Sequence, residues 1–238
     1  MLQSLLHLLY PKTCAACGMP AHSGLCTSCR AEIRVHPDVV CCKTCGKVIM
    51  EPTSSGRVAA TCKQCLRHPP HYDAARSAAA FSGPVRDLIH AFKYNRSTWL
   101  RHELSELLAG SVITYFNSER IHAVCPVPLN RRKERQRGYN QAALLAEKVA
   151  KSIQTTYLPN VLARSRNTPT QTHMSAQERR RNVAGAFQSP AHLRPWVYGR
   201  CFLLIDDVMT TGSTLSECAA ALKANGAERV LAATVARD

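Results

Sequence analysis

Residues 203–214, LLIDDVMTTGST, decide how the rest of the chain is read. Phe202, Leu203, Leu204 and Ile205 form a continuous apolar run, the pattern of a strand buried on both faces of a parallel sheet. Asp206 and Asp207 follow at its carboxyl end, where open α/β sheets bind their ligands. Residues 210–214 then make a small-residue turn into a helix that begins near Ser213 or Thr214. Free backbone N–H groups and the positive end of the helix dipole make such a turn a seat for an anion. Gly212 admits close backbone approach, while Thr210, Thr211, Ser213 and Thr214 add hydroxyl donors. A phosphate in the turn, with two acceptor-only carboxylates in front, suits a sugar phosphate. The carboxylates grip ribose hydroxyls and recruit Mg²⁺ to a pyrophosphate. No G-x-x-x-x-G-K-[ST] precedes the strand, which argues against a P-loop ATPase. Two adjacent carboxylates on a core strand are costly without a ligand, which argues against a chance arrangement.

Working outward, strands are predicted at 74–81, 121–128, 201–206 and 229–236. Helices are predicted from Pro84 (Val85, Leu88, Ile89 and Phe92 at helical spacing), over 99–115, over 139–153, and over 213–227 with Gly226 as the stop. Alternating strands and helices predict an α/β parallel sheet with helices on both faces. A polar, proline-marked joint, RHPPHYD (67–73), separates this part from the head, giving expected domains at 1–70 and 71–238.

The head is rich in cysteine. Nine of the twelve cysteines fall within the first 65 residues, and eight form Cys-x-x-Cys pairs. The pairs are Cys14/Cys17, Cys26/Cys29, Cys42/Cys45 and Cys62/Cys65. Two such turns supply the four thiolates of a tetrahedral zinc site, so the head is expected to hold two structural zinc ions. The simplest pairing takes the cysteines in sequence, 14/17/26/29 and 42/45/62/65; an interleaved pairing satisfies the spacing equally. Four thiolates leave no open coordination position, so metal catalysis is not expected there. Cys41 reads as a small apolar filler, and His22, His68 and His71 as loop residues rather than ligands.

The chain carries 31 Lys/Arg against 16 Asp/Glu, a formal charge of +15. The excess is concentrated: residues 120–200 hold 15 basic against 3 acidic side chains, a local +12. A polyanionic or phosphorylated partner fits this better than solubility, which scattered charge would serve as well. No run approaches the roughly 18–20 apolar residues of a membrane span. The opening MLQSLLHLLY lacks a basic segment, which argues against a signal peptide. Its Leu2, Leu5, Leu6 and Leu9 form a helical stripe, read as a leader helix docked on the protein's own surface or touching a membrane. A cytoplasmic protein is expected, free or peripheral at the inner membrane.

LLIDDVMTTGST resembles the PRPP-binding motif of type I phosphoribosyltransferases, a Rossmann-like fold. The chain as a whole resembles the ComF family of competence proteins. The cysteine pairs carry that resemblance, with LIHAFKY (88–94), CPVPLNRRKERQRGYNQ (125–141) and RNTPTQTHMSAQERRRNVAGAF (166–187). It implies a ribose and Mg²⁺ site at Asp206 and Asp207, with the 5′-phosphate at Thr210, Thr211, Gly212, Ser213 and Thr214. The loop after the first strand holds pyrophosphate in that fold. The matching segment here carries Arg131, Arg132, Lys133, Arg135, Arg137, Gly138 and Asn140, which suit pyrophosphate or a DNA backbone. By order along the chain, Arg166, Gln171, Arg179 and Asn182 match the mobile loop that closes over substrate.

Two function classes follow. In the first, the protein is a PRPP- and nucleic-acid-binding accessory factor of DNA uptake. The resemblance there implies single-stranded DNA entering through an inner-membrane channel, with a helicase partner; Tyr139 or Trp196 would stack bases. In the second, it is an active Mg²⁺-dependent phosphoribosyltransferase working through an oxocarbenium-like centre with no protein nucleophile. Purine-type transferases carry a third acid where this chain has Thr210, which cannot act as a general base at neutral pH. The orotate-type motif is the closer match, and no residue identifies an acceptor base.

Overall fold

The computed structural model describes residues 13–21, 23–33, 40–50, 60–166 and 175–238. The expected leader helix, His22 and Gln171 lie outside them. The cysteine-rich head contains helix α1 (Thr27–Ala31), the antiparallel ribbon β1 (Val40–Cys41) and β2 (Val48–Met50), and helix α2 (Lys63–Arg67). The α/β part then runs β3 (Ala74–Ala80), α3 (Gly83–Tyr94), α4 (Arg101–Phe116), β4 (Ala123–Pro126), α5 (Arg131–Arg137) and α6 (Gln141–Ser152). It continues with β5 (Thr156–Tyr157), β6 (Ala163–Arg164), α7 (Ala176–Val183), β7 (Phe187–Gln188) and α8 (Arg194–Val197). It ends with β8 (Cys201–Met209), α9 (Ser213–Ala224) and β9 (Arg229–Arg237).

Five strands form one sheet in the order β3-β9-β8-β4-β5, every neighbouring pair parallel, as the alternation predicts. The apolar run that suggested a central strand lies in the middle: Leu203 is in register with Val124 on one side and Leu231 on the other. Leu203, Leu204 and Ile205 are fully buried, each worth about 1.5–3 kcal/mol of apolar burial. One face of the sheet is covered by α3, α4 and α6, whose Leu88, Leu104, Leu108, Leu145 and Val149 meet Leu203, Ile205 and Leu231. The other face is covered by α9, whose Leu215, Cys218 and Leu222 meet Phe202, Leu204 and Val230. Helix α3 begins as expected, with Pro84 in its first turn and Val85, Leu88, Ile89 and Phe92 buried.

The structure extends the sequence reading at one decisive point. β8 continues past residue 206 to Met209, so Asp207 as well as Asp206 lies within the strand. Successive side chains of a strand leave on opposite faces. Asp206 and Asp207 are therefore adjacent in sequence but turned to different sides of the sheet.

Candidate anion site between the sheet and a zinc ribbon

The head resolves into two four-cysteine clusters, paired in sequence. The Sγ atoms of Cys14, Cys17, Cys26 and Cys29 lie within 4.8 Å of one another, as do those of Cys42, Cys45, Cys62 and Cys65. Four sulfurs about 2.3 Å from a central zinc stand about 3.8 Å apart in a tetrahedron. The Cys17–Cys26 and Cys45–Cys62 sulfurs are 3.7 and 3.8 Å apart, so both sets fit the ion. Backbone N–H groups of Cys45 and Cys62 point at Cys42 Sγ, at 3.5 and 3.3 Å. Burial pushes the Cys42 thiol up, but these amides and that of Thr44 outweigh it and bring the thiol down to about 6. The donors thus favour the thiolate that zinc requires. Cys41 belongs to neither cluster and is half-buried.

The second cluster is built into the turn behind the aspartates. Gln64, between Cys62 and Cys65, donates from Nε2 to the Thr211 carbonyl at 3.3 Å. The His71 backbone N–H donates to Ser216 Oγ at 3.1 Å. Gly212 has φ +76°, and a Cβ there would come within 2.6 Å of Met209 Cε and 2.8 Å of the Tyr72 hydroxyl. Only glycine meets both demands. Thr211 Oγ1 and Ser213 Oγ are 2.8 Å apart at the start of α9. The turn is shaped from below by Tyr72 and from the side by Gln64, and its hydroxyls cluster at a helix N-terminus. A cleft of about 340 Å³ opens beside it, lined among others by Gln64, His68, Arg180, Arg181, Thr211 and Ser213.

The carboxylates are held differently. Asp207 is 3% exposed, and Lys93 Nζ lies 2.9 Å from its Oδ1. Its Oδ2 is buried without a hydrogen-bond partner among the described residues. Asp206 is half-buried and accepts the Asp207 N–H at 2.8 Å. Burial first, then the neighbouring Asp207 charge, raise its carboxyl to about 7, against the Asp207 amide and the cations Lys93 and Arg164. Lys93 and Arg164 also stand near Lys133: burial first, then the charges of Arg164, Arg137 and Lys93, depress its ammonium, and Asp206 in turn acts on Arg164. A cluster of cations of this kind carries an excess of positive charge that a polyanion would neutralise.

The basic segment is a helix rather than the expected loop. Asn130 caps its amino end through Arg132 N at 2.9 Å, and Gly138 at φ +89° ends it. Straight-chain Arg, Lys, Glu and Gln between those signals favour the helix. The helix sorts the cations: Lys133 and Arg137, one turn apart, are half-buried, Lys133 near Lys93 and Arg164 and Arg137 over the Tyr94 ring, whereas Arg131, Arg132 and Arg135 are exposed. Asn140 is occupied as the cap of α6, accepting Ala142 N at 3.0 Å and donating to the Val127 carbonyl at 3.1 Å. Arg166 donates to the Asn182 and Ala184 carbonyls at 3.3 and 2.7 Å, which ties it to the end of α7, the helix that carries Arg179 and Asn182.

The aromatic residues differ from expectation. Tyr139 is half-buried against Phe92 and donates its hydroxyl to the Phe92 carbonyl, so its ring is not free to stack a base. Trp196 is 57% exposed but lies on α8 at the amino end of β8, opposite the aspartates. Tyr94, 68% exposed with the Arg137 guanidinium 5.6 Å above its ring, is the exposed aromatic at the site's rim. Sequence reasoning also missed Lys93, Arg164 and Gln64. Lys93 sits in the noted LIHAFKY stretch, and the four-residue spacing of Lys133 and Arg137 was the available sign of two helix faces.

Residues 5–66 match the family described as a double zinc ribbon domain, and residues 114–238 match the phosphoribosyl transferase domain. Competence protein F of Haemophilus influenzae is 32% identical over 216 residues, 88% of this chain and 89% of that protein. DNA utilization protein YhgH of Escherichia coli O157:H7 is 33% identical over 229 residues, 94% of this chain and 96% of that protein. Its counterpart in E. coli K12 is 32% identical over the same coverage. With zinc-ribbon cysteines ahead of a parallel sheet and relatives that align over nearly the whole chain, this protein belongs to the ComF family.

Proposed function

We propose that this protein binds the ribose 5-phosphate portion of PRPP and handles single-stranded DNA during DNA uptake in the cytoplasm. The observation that carries the first half is the pairing of Lys93 with Asp207 and the charges of Lys93 and Arg164 on Asp206, with Lys133 close to both cations, beside the glycine turn at 210–214. The 5′-phosphate takes the turn, whose amides and hydroxyls are donors. The ribose hydroxyls face the aspartates, and the pyrophosphate faces Lys133 and Arg137. A carboxylate–pyrophosphate pairing of this kind is where Mg²⁺ fits, neutralising phosphate charge when it is bound. Thr210 supplies no general base, so the reading is of a binding site before a transferase.

The DNA half draws on the relatives' names, competence protein and DNA utilization protein, and on the second face of α5. Exposed Arg131, Arg132 and Arg135 suit a phosphate backbone, and Tyr94 offers an aromatic face at the same rim. In this reading residues 1–70 are a zinc-stabilised unit and 71–238 the ligand-binding unit, with a helicase and an inner-membrane DNA channel as partners. Among the described residues no helix is long and apolar enough to cross a membrane.

Two measurements test the halves separately. Mg²⁺–PRPP raises the Tm of the wild-type chain, and the double change Asp206→Ala, Asp207→Ala abolishes that rise; an undiminished rise refutes the site. Three arginine–phosphate contacts give a slope of about −2 for log K against log salt on single-stranded DNA, at about −0.7 per contact. Arg131→Ala with Arg135→Ala brings the slope to about −0.7. No DNA binding even at low salt removes the second half.

A further inference from the structure

Asp207 and Lys93 form the most buried ion pair in this part of the molecule. The lysine comes from the end of α3 and the aspartate from the centre of the sheet. Lys93 Nζ lies 2.9 Å from Oδ1 and matches the carboxylate's charge from within the protein. Oδ2 is buried and has no partner among the described residues, an arrangement that costs free energy until a donor arrives. A ribose hydroxyl is such a donor; a metal ion is not needed to balance a charge already balanced. The Lys93 side chain, 18% exposed against 5% for Asp207, is the part of the pair that reaches solvent. Asp206 makes no direct ion pair among the described residues: the charges of Lys93 and Arg164 only oppose the upward push of burial and of Asp207 on its carboxyl, and it is half-buried.

We propose that Lys93 is a built-in counter-cation that positions Asp207 for a ribose hydroxyl, so that the sugar phosphate is held without magnesium and the metal serves only the pyrophosphate. This rests on the ribose-phosphate reading above and narrows it, because the two aspartates then have separate tasks. Asp207, with Lys93, reads the sugar. Asp206, on the other face beside Arg164, is left to the metal-bearing pyrophosphate side.

The test is binding of ribose 5-phosphate, which lacks the pyrophosphate, by titration calorimetry with the full chain. Magnesium is left out of the buffer and no chelator is added, so the zinc sites stay loaded. The wild-type chain binds ribose 5-phosphate equally with and without Mg²⁺. Lys93→Met weakens binding at least about tenfold without Mg²⁺, since one partner of a buried charge pair is gone. Added Mg²⁺ restores it by supplying the missing cation, and Lys93→Arg binds as the wild type does. Thermal unfolding of each ligand-free variant is followed alongside; where Lys93→Met does not fold, Lys93→Gln, which keeps a donor to Oδ1 without the charge, takes its place with the same expectations. Unchanged metal-free binding in the neutral variant overturns the role of Lys93, as does a wild-type chain that binds ribose 5-phosphate only with Mg²⁺. A wild-type chain that binds neither ribose 5-phosphate nor PRPP under any condition removes the underlying site reading instead.

Discussion

The two zinc clusters have the same four ligands and the same spacing within each pair, yet they are joined to the α/β part in different ways. The first docks on the outer helices: Cys14, Leu25 and Cys29 enter the core with Leu100, Leu104 and Leu108. There Arg30 pairs with Glu103, a buried carboxylate on α4. Gly24 lies so close to this surface that a Cβ would stand 3.0 Å from Leu100 Cδ2. The second docks on the opposite face and on the ends of the central strands. Arg237 donates to the Cys45 carbonyl at 2.6 Å, and Gln64 donates to Thr211. One zinc cluster therefore braces a helix, and the other braces the turn where a phosphate would sit. Identical metal chemistry serves stability in one place and site geometry in the other.

The largest expected effect separates these tasks. Cys45→Ser with Cys62→Ser lowers the zinc content from two ions to one and abolishes the Tm rise on Mg²⁺–PRPP. Cys17→Ser with Cys26→Ser loses one ion as well and lowers Tm, but keeps the ligand-induced rise. Equal loss of that rise in both double variants would erase the distinction. Next, Arg30→Ala leaves the buried Glu103 without its cation and costs about 1–2 kcal/mol in denaturant unfolding, reduced from a fully buried pair because Arg30 is half exposed. It leaves PRPP affinity unchanged. Gln64→Ala removes one hydrogen bond to the turn and weakens PRPP binding by about 1 kcal/mol, roughly fivefold, with zinc content and Tm unaltered.

The smallest effect isolates the aspartates from both clusters. Asp206 has a folded-state carboxyl raised to about 7, so the native chain holds a proton there that the unfolded chain releases near pH 4. Its contribution to stability is complete below pH 4 and is lost as pH rises through 7. Asp206→Asn removes this loss. Between pH 5.5 and 7.5, where zinc stays bound, its stability relative to the wild type increases by about 1 kcal/mol after allowance for partial exposure. A constant difference across that range would mean that Asp206 is ordinarily charged.

How much of this was legible follows the range of the contacts. The parallel sheet, the helix opened by Pro84 and the four Cys-x-x-Cys pairs rest on local signals: apolar runs, periodicity, proline and spacing; which pairs share a site came only from the fold. The position of 201–206 as a central strand was visible for the same reason. The partners of the aspartates were not. Lys93 reaches Asp207 from α3 and Arg164 comes from β6, neighbours that only the tertiary fold creates. Asp206 and Asp207 look like one bidentate unit in sequence, and the two-residue repeat of the strand divides them. The basic stretch was visible as charge, but its division into inner and outer faces needed the caps Asn130 and Gly138 to be read as a helix. Asn140 looked like a ligand-binding polar residue because a helix cap and a binding group use the same side-chain chemistry.

β3 is one of the two outer strands of the sheet, and the second zinc cluster lies along it. The Thr44 carbonyl accepts the Ala75 N–H at 2.7 Å, Arg76 donates to the Lys43 carbonyl at 3.0 Å, and a Cβ on Gly46 would stand 2.7 Å from the Ala75 carbonyl. An open, alanine-rich strand edge is a template for intermolecular β-pairing. The metal-held ribbon is thus also a cover, and a chain stripped of that zinc is expected to self-associate through β3 at high concentration.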